Sequence, residues 1–248
     1  MPDRTALAAQ HQVEAIAARL AGAREHSYLG DAVLGAIDGC VTTFAVVAGA
    51  AGASLPASVA IILGLANLIA DGFSMAASNY QRAKSERGLL EKARAIEEMH
   101  IHLVPEGERE EVRQIFAAKG FSGEELERIV EVITQNHKLW VDTMLTEELG
   151  LKLELPKAWM AALATFLGFA VAGLVPLLPY LVPEFPLERI FWTSSLLTGL
   201  TFLTIGLLKG HILRHSLLKS GLETLLVGGA AAGLAYAVGV WLRGWVGE

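Results

Sequence analysis

The chain has 248 residues, with 20 basic and 26 acidic side chains, and 53% of it is hydrophobic, for a mean hydropathy of +0.44. That hydropathy excludes an ordinary soluble domain and points to a polytopic membrane protein in a lipid bilayer. The single cysteine, Cys40, excludes an intrachain disulfide and a thiolate metal cluster, and no prosthetic group or nucleic-acid partner is expected.

Residues 1–30 lack a continuous apolar core and a small-residue cleavage site, so a retained amphipathic helix is expected there rather than a signal peptide. Val13, Ile16, Ala17 and Leu20 share one face of it, suited to docking on protein or on the membrane surface. Five later segments supply the roughly 20 apolar residues that a helical span needs. They are about 31–53, 57–79, 158–178, 190–208 and 221–242. Only "SLP" separates the first two, which predicts a tight antiparallel hairpin. The pairs Gly35/Gly39, Gly206/Gly210 and Gly229/Gly233 predict close helix–helix approach.

Residues 80–157 differ in character, holding 12 of the 20 basic and 16 of the 26 acidic residues. Apolar positions still recur at helical spacing, at Val112, Ile115 and Phe116 and again at Leu126, Ile129, Val130 and Ile133. Breaks fall at "VPEG" and "KGFSG". The pattern predicts that the second span continues to about 103, with helices near 107–118 and 123–149. The fold class is therefore all-α, with five transmembrane helices and a water-facing helical domain inserted between the second and third. The expected division is 1–30, 31–79, 80–157 and 158–248.

Orientation follows from the basic residues. Eighteen of the twenty fall in the N-terminal segment, the central block or the loop "LKGHILRHSLLKSG", leaving only Arg189 and Arg243. The positive-inside rule then puts the N-terminus and the central domain in the cytoplasm and the C-terminus outside.

Two constellations carry chemistry. In the first span, "GAIDGCVTTF" sets Asp38 within an apolar helix with Thr42 one turn on. An intramembrane carboxylate marks an ion ligand, a proton carrier or a structural hydrogen bond across the hairpin. In the second span, "LGLANLIADGFSMAASNYQRAKSE" places Asn67, Asp71 and Met75 on nearly one face, with Ser74 and Ser78 adjacent. Thioether beside carboxylate suits a softer divalent ion such as Fe²⁺ better than Mg²⁺ or Ca²⁺, although Met75 also fits ordinary packing. In the central block, Glu97 and His100 are spaced i, i+3, as are Glu108 and Glu111, and Met144 and Glu148 are spaced i, i+4 with Glu147 beside them. Carboxylates and an imidazole converging from several helices make a metal site; the same residues also fit a solvated acidic face.

Three stretches, "AIDGCVTTFAVVAGA", "ADGFSMAASNYQRAKSE" and "VDTMLTEELGL", resemble the vacuolar iron transporter family, and the likeness runs from about residue 24 to 243. The resemblance implies a five-helix homodimer that exports Fe²⁺, and often Mn²⁺ or other divalent ions, from the cytosol in exchange for protons. It implies a pathway at the dimer interface, lined by first and second spans of both subunits, to which Asp38 and Met75 match. It also implies that the inserted domain binds metal, with Glu97, Glu108, Glu111, Met144 and Glu148 at ligand positions. This chain departs from the family pattern in three places. Asn67 stands where the family has a glutamate, and Asp71, one turn on, is expected to take over its role. His100 stands where the family commonly has glutamate, which widens the expected ions toward Zn²⁺, Co²⁺ or Ni²⁺. Leu145 occupies a position where a second methionine can occur.

The expected activity is therefore transport rather than catalysis, at the cell's inner (plasma) membrane. Two other readings remain at this point: an exporter specialised for Mn²⁺, and a membrane-anchored di-iron oxidase or storage protein. The second wants a Glu-x-x-His motif from each of two helices, and only Glu97–His100 supplies one.

Overall fold

The computed structural model describes residues 8–9, 11–22, 27–182 and 186–246. Among them there is no strand, and the helices are α1 (Val13–Gly22), α2 (Leu29–Gly52), α3 (Ala57–Leu103), α4 (Pro105–Ala118), α5 (Gly123–Thr134), α6 (His137–Thr143), α7 (Ala158–Leu174), α8 (Leu187–Ile212) and α9 (Leu217–Val246). Five stretches are long and apolar enough to cross a membrane: α2, α3, α7 with its extension to Leu181, α8 and α9. The chain is a multi-pass membrane protein. The Leu20 side chain and the basic residues Arg4, Arg19 and Arg24 lie outside the described side chains.

The chain divides into two compact units. One contains residues 27–81 and 157–248, and the other contains residues 82–156 together with α1. α3 runs unbroken from the first unit into the second.

In the membrane unit α2 is the central helix, with α7 against one side and α9 against another. Its glycines explain why. A Cβ built on Gly39 would stand 2.3 Å from the Phe169 carbonyl oxygen, and one on Gly168 of α7 would stand 2.1 Å from that of Ala32. The two backbones therefore touch directly, as small residues permit in a membrane where no hydrophobic effect drives helices together. Gly35 belongs to the same seam, whereas Gly229 and Gly233 have nothing within 4 Å of a notional Cβ. The expected close approach holds for the first pair and for Gly206/Gly210, but not for Gly229/Gly233 within the chain.

The expected hairpin of the first two spans takes a looser form. α3 meets α7 and the stretch after it through side chains: Gly72 faces the rings of Phe166 and Phe169, and Gly64 faces the end of Leu177. A polar knot reinforces this contact. The buried Asn79 amide donates to Asp31 Oδ1 at 2.9 Å and to Thr165 Oγ1 at 2.7 Å, joining α3, α2 and α7. After α7 the chain tightens into a 3-10 stretch, Val175–Leu181, around Pro176 and Pro179. In such a turn the Pro176 carbonyl would accept from residue 179, which as proline has no N–H. The Ser194 hydroxyl donates to that carbonyl instead, at 2.7 Å.

The second unit folds around Ile101, Val112, Val130, Trp140, Met144 and Leu145. The apolar repeats at 112–116 and 126–133 bury their faces here, on α4 and α5. The single helix expected over 123–149 is instead broken at Gln135–Asn136. Asn136 caps a new helix by accepting from the Leu139 N–H at 3.1 Å. α6 then widens into a π-helical turn, Met144–Glu148. Arg94 on α3 pairs with Asp142 on α6 at 2.6 Å.

The glycine seam sets the first expectation. Gly168→Ala forces the α2 and α7 backbones apart and lowers the melting temperature in detergent, by about 1–3 kcal/mol of stability. Gly233→Ala, with open space at its Cβ, produces no such loss.

Candidate functional site

In the second unit, Glu97 and His100 share one face of α3 near its end, and Glu108 faces them from the first turns of α4. One ligand atom from each of the three lies within 4.8 Å of the other two. The sharp Val104 turn between the helices brings them together, because Pro105 starts α4 where a helix-breaking proline costs nothing. Glu97 and Glu108 are 4% and 3% exposed, and the Oε2 atom of each has no hydrogen-bond partner among the described residues. The remaining oxygen of Glu108 lies 3.3 Å from His100 Nδ1. Two buried carboxylates with spare oxygens, beside an imidazole, are an uncompensated arrangement. Such groups call for a proton or a cation.

Glu111 and Glu148 stand close enough to bear on the same charges. Burial, with Glu111 and Glu97 adding repulsion, pushes the Glu108 carboxyl up to about 7, against the opposing pull of His100. Burial first, and then Glu97 and Glu111, raise Glu148 as well. The hard oxygens and one imidazole suit Fe²⁺, Mn²⁺, Co²⁺ or Zn²⁺.

The other expected ligands lie differently. Met144 is fully buried within the apolar cluster of Val112, Val130, Trp140 and Leu145. Glu147 is ion-paired with Lys119 and is not among the three converging residues. The cause is local: in the π turn the Leu149 N–H bonds the Met144 carbonyl five residues back, so i, i+4 spacing no longer defines one face. The solvated carboxylates separate cleanly from the site. Glu110 and Glu127 both engage Arg113; hydrogen bonds from Gln114 and then Arg113 hold the Glu110 carboxyl low, and those from Arg113 hold Glu127 low.

In the membrane unit, Asp38 on α2 and Asp71 on α3 are near enough to interact electrostatically. Thr42 and Asn67 join the same two helices, the Asn67 amide donating to Thr42 Oγ1 at 3.3 Å. Asp38, Thr42, Asn67 and Met75 are half-buried, whereas Asp71, Ser74 and Ser78 are exposed on the outer face of α3. Asn79, further along the same helix, is buried and occupied by Asp31 and Thr165, so it is a joint of the fold. Twelve residues beyond Asn67, it lies about 120° around the helix from that residue.

Two measurements test the cluster. The fold holds the proton on Glu108 more tightly than the unfolded chain does, so this group's stability contribution is complete below pH 4.5 and falls as pH rises toward about 7. The metal-free protein is therefore expected to melt lower at pH 8 than at pH 5, and Glu108→Gln to reduce that difference. Mn²⁺ raises melting at pH 8 and has little effect at pH 5, because it takes the proton's place. By calorimetry, Glu97→Gln weakens Mn²⁺ binding about tenfold or more, and Glu147→Gln leaves it unchanged.

The chain matches the model of the VIT family over residues 29–240. It is 33% identical to vacuolar iron transporter 1 of Oryza sativa subsp. japonica over 209 residues, covering 84% of this chain and 82% of the relative. It is also 33% identical to the vacuolar iron transporter of Toxoplasma gondii over 225 residues, covering 87% and 74%. Vacuolar iron transporter 1 of Arabidopsis thaliana is 31% identical over 209 residues, with 84% and 83% covered. The chain therefore belongs to the VIT family.

Proposed function

We propose that this chain is a divalent-metal transporter that carries Fe²⁺, and with it Mn²⁺, out of the cytoplasm across the plasma membrane in exchange for protons. The observation that carries the reading is Asp71, a carboxylate exposed on the outer face of a membrane helix and electrostatically coupled to Asp38 on the next helix. A carboxylate facing lipid at mid-membrane costs about 2.5–3.5 kcal/mol on insertion scales, so this face wants water or a protein partner. A second copy of the chain meets that need. In a homodimer, two Asp38, two Asp71 and two Met75 would line a polar path between the subunits. The names of the relatives, iron transporters in rice, Toxoplasma and Arabidopsis, agree with metal as the cargo.

The chain's own residues then divide the work. Glu97, His100 and Glu108, with Glu111 and Glu148 around them, attract cytoplasmic cations and raise their local concentration. Met144 supports this centre from the apolar core. Asp38 and Asp71 bind the ion only when deprotonated, and protons entering from outside compete for the same oxygens. Thr42, Asn67 and Ser74 supply neutral oxygen donors along the path, and the Met75 thioether favours softer divalent ions over Mg²⁺. With Asn67 in place of a glutamate, Asp71 becomes the second proton-accepting group.

Proteoliposome uptake tests the reading. Fe²⁺ and Mn²⁺ are expected to move faster when an opposing proton gradient is present. Asp38→Ala lowers the rate roughly tenfold or more, and Asp71→Asn removes most of the pH dependence. Transport that ignores Asp38→Ala would exclude this pathway, and transport that ignores the gradient would leave a channel or uniporter.

A further inference from the structure

The loop joining α8 to α9 builds a cavity that metal transport does not use. Gly206 and Gly210 bring the two helices together: a Cβ on Gly206 would stand 2.6 Å from Gly221 Cα, and one on Gly210 would stand 3.1 Å from Ser220 Cβ. The turn is closed by the His215 N–H on the Gly210 carbonyl at 2.9 Å, with Arg214 in the left-handed region at φ +53°. Over this junction lies a cavity of about 620 Å³, lined by Lys209, Leu213, His215, Ser216, Lys219 and Glu223, among others.

Among the described residues, Lys209, His215 and Lys219 make no ion pair, and all three line this one space. Lys219 does not engage even Glu223, although i, i+4 spacing sets the two on one helix face. Two lysines and a histidine thus converge on one space whose single acid, Glu223, makes no ion pair with any of them among the described residues. Around them Leu208, Leu213, Leu217, Leu218 and Leu222 are all exposed. A cationic hollow rimmed by bare leucines at the end of two membrane helices matches an amphiphile with an anionic head and apolar tails.

We propose that this cavity binds the phosphate-bearing head group of an anionic phospholipid, held by Lys209 and Lys219, with its acyl chains along the exposed leucines of α8 and α9. A basic residue near a membrane surface contributes about 1 kcal/mol to such binding, so two lysines together account for roughly a thirtyfold gain in affinity. The site is independent of the transport reading, because none of its residues belongs to the metal cluster or the membrane path.

The test uses the full-length protein in detergent, with lipid retention measured by native mass spectrometry and stability by thermal melting. Phosphatidylglycerol is expected to remain bound and raise the melting temperature, with zwitterionic phosphatidylcholine far weaker. The double variant Lys209→Gln/Lys219→Gln is expected to lose about ten- to thirtyfold in phosphatidylglycerol affinity. Lys209→Arg/Lys219→Arg keeps the binding, which separates lost charge from misfolding. Equal retention of phosphatidylcholine, or unchanged affinity in the Gln variant, would overturn the site. Stabilisation by inorganic phosphate equal to that by the lipid would also overturn it, by assigning the cavity to a soluble anion.

Discussion

A carboxylate withdrawn from bulk water without a fixed counter-charge is unstable until a proton or a metal joins it, and this protein holds such groups in both of its units. Glu97 and Glu108 each carry a buried oxygen with no hydrogen-bond partner, while Arg94, Arg113 and Lys119 in the same unit are spent on other acids. Asp38 and Asp71 face a comparable cost in hydrocarbon. The fold leaves these sites short of positive charge. The proline turn before α4 sets Glu108 opposite Glu97 and His100, and the amide knot at Asn79 ties α3 to α2 and α7.

Much of the fold was legible in the sequence, because hydrocarbon and water impose strict patterns on a chain. The five spans, the continuation of the second span to 103 and the apolar stripes of α4 and α5 follow from hydropathy and periodicity alone. What failed were features decided by neighbours. Nothing in the composition around Gly229 and Gly233 distinguishes them from Gly35 and Gly39, yet only the latter meet another backbone. The break at Asn136 was written in the sequence as a capping residue, but the apolar repeat on either side masked it.

The candidate site divides similarly. Glu97, His100 and Glu108 share a signal, two acids and an imidazole flanking a helix break, and the structure sets their ligand atoms together. Glu147 carried the same kind of signal and is spent on Lys119, because a π turn changes the phase of the helix by a fraction of a turn. Asn79, in the same polar stretch of the sequence as Asp71 and Met75, is a structural joint. Identity along a helix face is legible from sequence; phase after an irregular turn is not.

The contrast between the seams of the membrane unit has a mechanical side. Where backbone meets backbone, as between α2 and α7, neither helix can roll without driving a carbonyl oxygen into a neighbouring main chain. α3 is fastened by rotatable side chains, among them the amides of Asn67 and Asn79, contacts that can yield by rotamer changes. Stiffness and compliance are thus assigned to different helices of one bundle. The rigid helix carries Asp38 and the compliant one carries Asp71, so the gap between these two carboxylates is the dimension this bundle can vary at least cost.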